Sequence, residues 1–592
     1  MANILFATLA LSMGTAAFAQ ASCKLTPSDA NWPTTADWQA LNDTLGGSLI
    51  ATRPAASSCY DGNPFDSPFS CDLVETNWTQ SAFHASLPES IDYPIFANNS
   101  CLPPGANGYN QTLLGCHISG LPVYTVKATS AEQISAAVAW ASARDIRIVV
   151  KGTGHDLNGR SAGAYALSIW THSLKSIKHE SQWQLPAGGT DDVFIVGSGN
   201  NWGEITEAAA AEGRVCISGQ DPTVGLGGFI GAGGHGPLSS HYGLSADNIY
   251  QATVVTTSGD ILVANDAQNQ DLIWAIRGGG PGLYGVVTEY VLKSHPIPKT
   301  VAAASLSMSL STNSTSYNTS WAGFAAFMMS LPDSMDEGLT GNGNIISSTT
   351  GVTISMEYFG YNMTTENLAA LLERVKASIL AQDHGSALNV TISEPVLYPS
   401  YLDFFDYLKS TAAGAGSTSL ISSRVLGRTD LSDLSVCQLQ YHLKQVMQSE
   451  TEGSGSRMVV GLQGGQGPAQ VESNMRGALN PVWRTGYVHT IVTGSNLDLT
   501  IPPQDALSAA ASWTEEVKEA AFREWAPTAG AYINEANPYS SSWKHDFYGD
   551  NYDALLELKN KYDPTGSLYV LSGVNSDAWE YNLTTGKLCR VA

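Results

Sequence analysis

At 592 residues the chain is too long for one ordinary hydrophobic core, so two or more domains are expected. Its 43% hydrophobic and 14% charged residues describe a globular protein, and its 57 glycines follow no repeat, which excludes collagen-like and linker architectures. A formal net charge of −24 repels phosphate backbones and anionic membranes, so neither nucleic acid nor a membrane surface is expected as a partner; oligomeric state is left open.

In chain order, Ile4 to Ala19 is a short apolar run ending Ala17-Phe18-Ala19, which reads as a signal peptide over residues 1–19, although no Lys or Arg precedes it. Residues 20–115 are rich in Pro, Ser, Asn and Cys and hold one short helix near Trp38 to Leu45. Five of the eight cysteines fall within the first 116 residues (Cys23, Cys59, Cys71, Cys101, Cys116); the others are Cys216, Cys437 and Cys589. No C-x-x-C pair occurs, so no metal site is expected, and the N-terminal five read as staples of a loop-rich extension whose pairing the spacing leaves open. Nine glycosylation sequons, at Asn42, Asn77, Asn98, Asn110, Asn313, Asn318, Asn362, Asn389 and Asn582, add to the expectation of a secreted glycoprotein, extracellular or in the secretory lumen.

From Pro122 the pattern becomes regular. A strand over Val123 to Lys127 precedes a helix to about Arg144, with Ser130 as cap and Gln133 completing a capping box. Strands follow at Ile146 to Val150, Tyr165 to Trp170 and Val193 to Ser198, then a helix at Trp202 to Glu212. Next come a hairpin at Ile249 to Val263 turning at Ser258-Gly259, a helix at Gln268 to Ile276 and a strand at Tyr284 to Ser294. The pairs His295-Pro296 and Ile297-Pro298 mark a boundary. Beyond it, helices at Asn367 to Gln382 and Ser432 to Gln448 mix with alternating strands at Val352 to Tyr358 and Arg457 to Leu462, an α+β pattern with an antiparallel sheet. The tail, Gly530 to Val574, reads as a strand and a helix at Tyr552 to Lys561.

Two glycine-rich segments carry the chemistry. The strand ending at Val150 empties into Lys151-Gly152-Thr153-Gly154-His155-Asp156, where small residues let backbone N–H groups approach a diphosphate and the imidazole can bond what that diphosphate carries. Taken alone, this stretch is also compatible with a simple turn bearing one exposed histidine. The second segment, Gly225 to Gly236, has seven glycines in twelve residues, a composition read as extended backbone pressed against a large flat ligand, since neither a helix interior nor an ordinary strand tolerates it.

With Trp274-Ala275-Ile276-Arg277-Gly278-Gly279-Gly280-Pro281-Gly282 and the tail blocks Ala531-Tyr532-Ile533-Asn534-Glu535 and Lys559-Asn560-Lys561-Tyr562-Asp563-Pro564, these segments resemble the vanillyl-alcohol-oxidase/berberine-bridge-enzyme superfamily, in its secreted fungal isoamyl-alcohol-oxidase-like branch. The resemblance covers residues 120–295 and 530–575. It implies an α+β, two-domain, PCMH-type FAD-binding fold: an FAD domain over residues 116–298, a substrate domain with a central antiparallel sheet over 299–525, and a C-terminal segment, 526–592, that completes the FAD domain. It further implies FAD attached through His155, its pyrophosphate held by the backbone amides of Gly152, Thr153, Gly154 and Asp156, with Ser161 a further cofactor-binding residue. Asp221, Thr223, Val224, Gly227, Gly228, Gly231 and Gly234 would lie along the flavin, and Val287 at the adenine end.

Two departures stand out. Bicovalent members carry a second flavin-bonding cysteine just before Pro-Thr-Val-Gly; here that position is Asp221, so one covalent link at most is expected, and Cys216, five residues upstream, is out of register. Many relatives place a tyrosine where Tyr532-Ile533-Asn534-Glu535 ends in glutamate, which nominates Glu535 as general base, with a pKa raised by an apolar pocket, and Tyr532 as a substrate-orienting or packing residue. His235 and His241 are each read as a flavin neighbour, a proton shuttle or a structural histidine, the last favoured for His241. The implied activity is that of an oxidase that takes a hydride from a low-polarity alcohol or secondary-metabolite intermediate and passes the electrons through FAD to dioxygen, giving hydrogen peroxide. The alternatives are a carbohydrate oxidase, an oxidative cyclase and a flavin-retaining binding protein without turnover.

Overall fold

The computed structural model describes residues 22–311, 317–409, 414–416 and 418–591, so the expected signal peptide and the sequon at Asn313 lie outside the described residues. Three sheets organise the chain. The first runs in the order β1 (Leu49–Ala51), β2 (Tyr124–Lys127), β4 (Leu167–Trp170), β3 (Ile148–Lys151), with β2, β4 and β3 parallel. Helix α1 (Thr35–Thr44) and helix α2 (Ala131–Ser142) cover it. Ile134, Ala137, Val138 and Ala141 of α2 recur at i, i+3, i+4 and i+7 and are all buried against that sheet. Ser130 caps α2 through the Gln133 amide at 3.4 Å, but Gln133 does not complete the box: its side-chain oxygen reaches one residue further and accepts from Thr129 N at 2.9 Å.

The second sheet is antiparallel, in the order β5 (Ile177–Gln184), β6 (Thr190–Gly197), β9 (Val286–Lys293), β7 (Ile249–Val255), β8 (Ile261–Asn265). Gly259 takes the turn between β7 and β8 at φ +91. Helices α3 (Trp202–Ala211), α4 (Leu226–Gly231) and α5 (Gln270–Ile276) belong to the core around this sheet. Helix α4 corrects the expectation of extended backbone in the glycine segment. Its six residues bury Leu226, Phe229 and Ile230, and so short a helix forms on that packing in spite of glycine's low propensity.

The third and largest sheet has eight antiparallel strands: β10 (Val301–Leu310), β11 (Leu339–Ser348), β12 (Gly351–Tyr361), β13 (Leu388–Ile392), β14 (Val396–Tyr398), β15 (Ser422–Gly427), β16 (Arg457–Leu462) and β17 (Gly486–Val492). The path is β13-β10-β12-β11-β16-β17-β15, with β14 also on β10. Strand periodicity sorts its faces. Val352, Ile354, Met356 and Tyr358 of β12 are buried against Phe324, Phe327, Met328 and Leu331 of helix α6 (Tyr317–Asp336), while the alternate Ser355, Glu357 and Phe359 face a cavity. Helices α7 (Thr365–Leu380) and α8 (Val436–Val446) complete the apolar side. The α6 helix was not legible in the sequence, where it carries Pro332 and opens among Ser, Thr and Asn.

The C-terminal segment returns to the first two sheets. No strand forms between 530 and 574 among the described residues, contrary to expectation. Instead Leu568 makes an isolated parallel bridge to Ile148, with Ile148 N donating to Ser567 O at 2.8 Å, and helix α9 (Tyr552–Tyr562) packs near α5. Buried Arg424 joins β15 to Glu519 at 2.9 Å and to Asp546 at 3.2 Å. Cysteine pairing also differs from a self-contained N-terminal framework: Cys59–Cys71 and Cys101–Cys116 are local, but Cys23 bonds Cys589 near the far end of the chain. Cys216 and Cys437 are free thiols. None of the eight described sequon asparagines is buried, and among the described residues no helix is long and apolar enough to cross a membrane.

Candidate functional site

A cavity of about 700 Å³ opens where β3, α4, the cavity face of the third sheet and the returning C-terminal segment meet. Its lining includes Gly152, Thr153, Gly154, His155, Asp156 and Ser161 from the loop after β3, Asp221, Val224, Gly227, Gly228 and Gly231 around α4, and Val287 of β9. Tyr532 and Glu535 join them from a turn at Ile533–Glu535. Two nominated residues stand elsewhere. Thr223 touches His155 without lining the cavity, and Gly234, at φ +76, is a packing glycine whose added Cβ would meet the Phe229 ring at 2.5 Å. Cys216 is also outside the lining, and burial pushes its thiol up to about 12. His241 lies outside it too, hydrogen-bonded to Ser240 at 3.1 Å.

The loop after β3 is clamped from below. A Cβ on Gly154, at φ +87, would stand 2.8 Å from Ser90 O, so the N-terminal extension can press against the loop only at a glycine. Asp92 N donates to Gly154 O at 3.0 Å in the same contact. Buried Lys151 donates to the carbonyls of His84 (3.1 Å) and Leu87, and burial lowers its pKa to about 8 against the pull of Glu89 and Asp92. Asp156 turns inward: it accepts from Asn158 N at 2.7 Å and pairs with Arg160 Nε at 2.8 Å, while Arg160 Nη2 donates to Ile533 O at 3.0 Å. The loop and the Glu535 turn are thereby one assembly.

His155 stands between two carboxylates. Its Nε2 is 3.1 Å from Thr223 Oγ1 and 3.3 Å from Asp221 Oδ2, and its Nδ1 is 3.7 Å from Asp92 Oδ2. Burial opposes the imidazolium, yet the Asp221 hydrogen bond and the charges of Asp92 and Asp221 outweigh it and hold the pKa above its ordinary value.

Glu535 stands between two imidazoles. Its Oε2 is 3.1 Å from His235 Nε2 and 3.5 Å from His489 Nδ1, and His235 meets the Tyr532 ring edge-on at 4.6 Å. Burial would raise the carboxyl pKa, as expected from an apolar pocket, but His235 and then His489 reverse the sign and hold it below the usual carboxylate range. His489 itself is pushed down to about 3, by burial first and by His235 second. Burial raises the Tyr532 phenol, whose oxygen accepts from Asn534 Nδ2 at 2.8 Å, so Tyr532 is neutral and a poor base. The three side chains come from the end of the glycine segment, from β17 and from the C-terminal turn; their ligand atoms lie within 4.8 Å of one another, a spacing that would also suit a metal ion. His489 was missed in the sequence, although its place between Tyr487 and Ile491 in an alternating strand put it on one face with them.

Gly227 and Gly228 have nothing within 4 Å of an added Cβ, so α4 offers a bare backbone surface to the cavity. Opposite it, the third sheet presents Asn342, Asn344, Glu357 and Arg457, with Gln463 just past the end of β16. Arg457 Nε donates to Asn344 Oδ1 at 2.7 Å, and Glu357 accepts from Tyr407 at 2.7 Å. This wall is more polar than a low-polarity substrate requires.

Comparison with known proteins matches residues 122–265 to the FAD binding domain family and residues 531–574 to the berberine and berberine-like family. The FAD-linked oxidoreductase ZEB1 of Gibberella zeae is 32% identical over 591 residues, spanning 100% of this chain and 98% of that protein. The VAO-type flavoprotein oxidase VAO615 of Thermothelomyces thermophilus is 32% identical over 583 residues, 96% of this chain and 95% of that one. The crystal structure of the VAO-type flavoprotein MtVAO615 from Myceliophthora thermophila superimposes with a TM-score of 0.84 at 31% identity, covering 96% of this chain and 100% of that one. Berberine bridge enzyme from Eschscholzia californica shares the fold, with a TM-score of 0.63 at 16% identity over 90% of this chain and 98% of that one.

Proposed function

Because the chain belongs to the FAD-linked oxidoreductases of the vanillyl-alcohol-oxidase and berberine-bridge type, we propose that it is a secreted oxidase acting on an alcohol or a secondary-metabolite intermediate, with dioxygen as acceptor. The residues fit FAD: α4 leaves open space at Gly227 and Gly228 for a flat ring system, and the glycine loop after β3 leads to a histidine on the cavity wall. FAD, when bound, supplies the hydride acceptor and the route of the electrons to dioxygen, leaving hydrogen peroxide. Gly152, Thr153, Gly154, Asp156 and Ser161 would hold its pyrophosphate, Gly231 and Val224 would lie along the ring, Val287 would meet the adenine end, and His155 would be the single attachment point.

The observation that carries the reading is the Glu535 carboxylate held on the cavity wall by two imidazoles, 3.1 and 3.5 Å away. A carboxylate kept charged on the wall of a cavity is ready to take the proton of a substrate hydroxyl, and His235, hydrogen-bonded to the same oxygen, is placed to share that proton. Tyr532 packs under the pair and fixes Asn534, which ties the turn to α4 through Gly228 O at 3.1 Å. Three disulfides, the apolar N-terminal run and the unburied sequons support secretion.

One specific observation favours a second reading, oxidation of a polyhydroxylated substrate such as a carbohydrate: the polar wall of Asn342, Asn344, Glu357, Arg457 and Gln463. A peroxide-coupled screen of alcohols, phenolic intermediates and oligosaccharides separates the two. The first test is the absorption spectrum of the secreted protein and of its acid precipitate. Yellow pellet from the wild type and yellow supernatant from His155→Ala support attachment at His155; a folded, colourless protein would sink the oxidase reading.

A further inference from the structure

We propose that Thr223 and Asp221 form a positioning pair that fixes the tautomer of His155 for flavin attachment, leaving Nδ1 as the bonding nitrogen. This rests on the reading of His155 as the attachment point.

The wiring follows from hydrogen-bond bookkeeping. The Thr223 hydroxyl donates to Asp221 Oδ1 at 2.7 Å, and Thr223 N donates to the same oxygen at 2.8 Å. With its proton committed, Thr223 Oγ1 can only accept from His155 Nε2, 3.1 Å away. Asp221 Oδ2, 3.3 Å from the same nitrogen, accepts as well. Both partners therefore require a proton on Nε2. On the other side Asp92 Oδ2 is 3.7 Å from Nδ1, beyond hydrogen-bond range, and already accepts from Ser81 Oγ at 2.7 Å. The carbonyl of His155 itself also accepts from the ring, one acceptor against the two on Nε2, so Nε2 keeps the proton and Nδ1 the lone pair when the ring is neutral. Asp221 itself is held below the ordinary carboxylate range, where His155 and Thr223 together outweigh burial, so it remains an acceptor.

Attachment joins Nδ1 to the 8α-methyl carbon of the flavin. That carbon loses one hydrogen as a proton as the C–N bond forms, and the imidazole gives its Nε2 proton to Asp221. The flavin ring gains two electrons and, by exchange, the two protons; dioxygen then takes both electrons and both protons and leaves as hydrogen peroxide. A carboxylate that receives the Nε2 proton removes the positive charge that would otherwise build up on the ring, which is general-base assistance to a nucleophile. Asp221 thus has a use that the sequence, where it reads as the loss of a second link, does not suggest.

The test uses secreted, full-length wild type, Asp221→Asn, Thr223→Val and His155→Ala. The covalent fraction is read as flavin fluorescence of the denatured protein band relative to total FAD, and retained FAD is read from the native spectrum. Asp221→Asn is expected to keep FAD while its covalent fraction falls by about tenfold or more, Thr223→Val to fall less, and Asp221→Glu to recover part of the loss. A covalent fraction unchanged in Asp221→Asn, with His155→Ala empty of covalent flavin, overturns the positioning role and leaves the attachment reading standing. Covalent flavin persisting in His155→Ala overturns both. If Asp221→Asn is not secreted, Thr223→Val decides, and an unchanged covalent fraction there overturns the proposal.

Discussion

Two clusters of the same residue types line one cavity with inverted stoichiometry. At one, a histidine sits between two carboxylates (His155 with Asp92 and Asp221); at the other, a carboxylate sits between two histidines (Glu535 with His235 and His489). Both are half-buried on the cavity wall, and that partial burial disfavours charge at each. The majority partner nevertheless decides the sign: His155 gains affinity for its proton and Glu535 loses affinity for its own. The comparison teaches that burial alone does not set the state of a catalytic candidate; the count and identity of its immediate neighbours do. It also separates the tasks proposed above, a nucleophile assisted by acids on one wall and a base kept ionised by imidazoles on the other.

The comparison can be broken most sharply at Glu535. Glu535→Gln removes the base without changing shape, and the rate of flavin reduction by substrate is expected to drop about 10²- to 10⁴-fold with flavin content unchanged; stopped-flow absorbance at the flavin band reads it, and a drop below tenfold would move the base elsewhere. His235→Ala comes next, with an expected loss of about tenfold and a displaced pH profile. His235, hydrogen-bonded to Glu535 at 3.1 Å, is the neighbour that most lowers the Glu535 pKa, so its removal raises that pKa, and the acid limb of kcat/KM shifts to higher pH. An unmoved acid limb would mean that Glu535 is not the group it reports. Gly154→Ala then tests the contact that delivers Asp92: a Cβ at φ +87 and 2.8 Å from Ser90 O is expected to lower unfolding free energy by about 1–2 kcal/mol, seen in denaturant unfolding. Asp92→Asn is expected to have the smallest effect, a slight fall in covalent flavin, because its 3.7 Å contact is no hydrogen bond. A larger fall than that of Asp221→Asn would reverse the ranking of the two acids.

How much of this was legible in the sequence depends on how local the signal is. His155, Asp221, the α4 glycines and Glu535 are carried by short motifs, and the structure brings them to one cavity. Asp92 gave no signal: Ser90-Ile91-Asp92-Tyr93-Pro94 lies in an aperiodic extension, and only the fold sets it under the His155 loop. The inverted pKa of Glu535 was unreadable for the same reason, since His489 comes from the central sheet and His235 from the second glycine segment. The period-two pattern of β12 and β16 was plain, whereas α6 was hidden by Pro332 and a polar start, and α4 by its glycines. Composition was misleading there because six residues packed on a core can afford poor helix formers.

The Cys23–Cys589 bond closes the backbone into a covalent ring that takes in nearly all of the described chain. A single cut in a surface loop between the two cysteines leaves one molecule instead of two fragments, so nicking need not release the C-terminal turn that holds Glu535. The same bond holds the backbone at Cys23 beside that at Cys589, so joining the chain there and opening it in an exposed loop far from the cavity is a natural route to circular permutation.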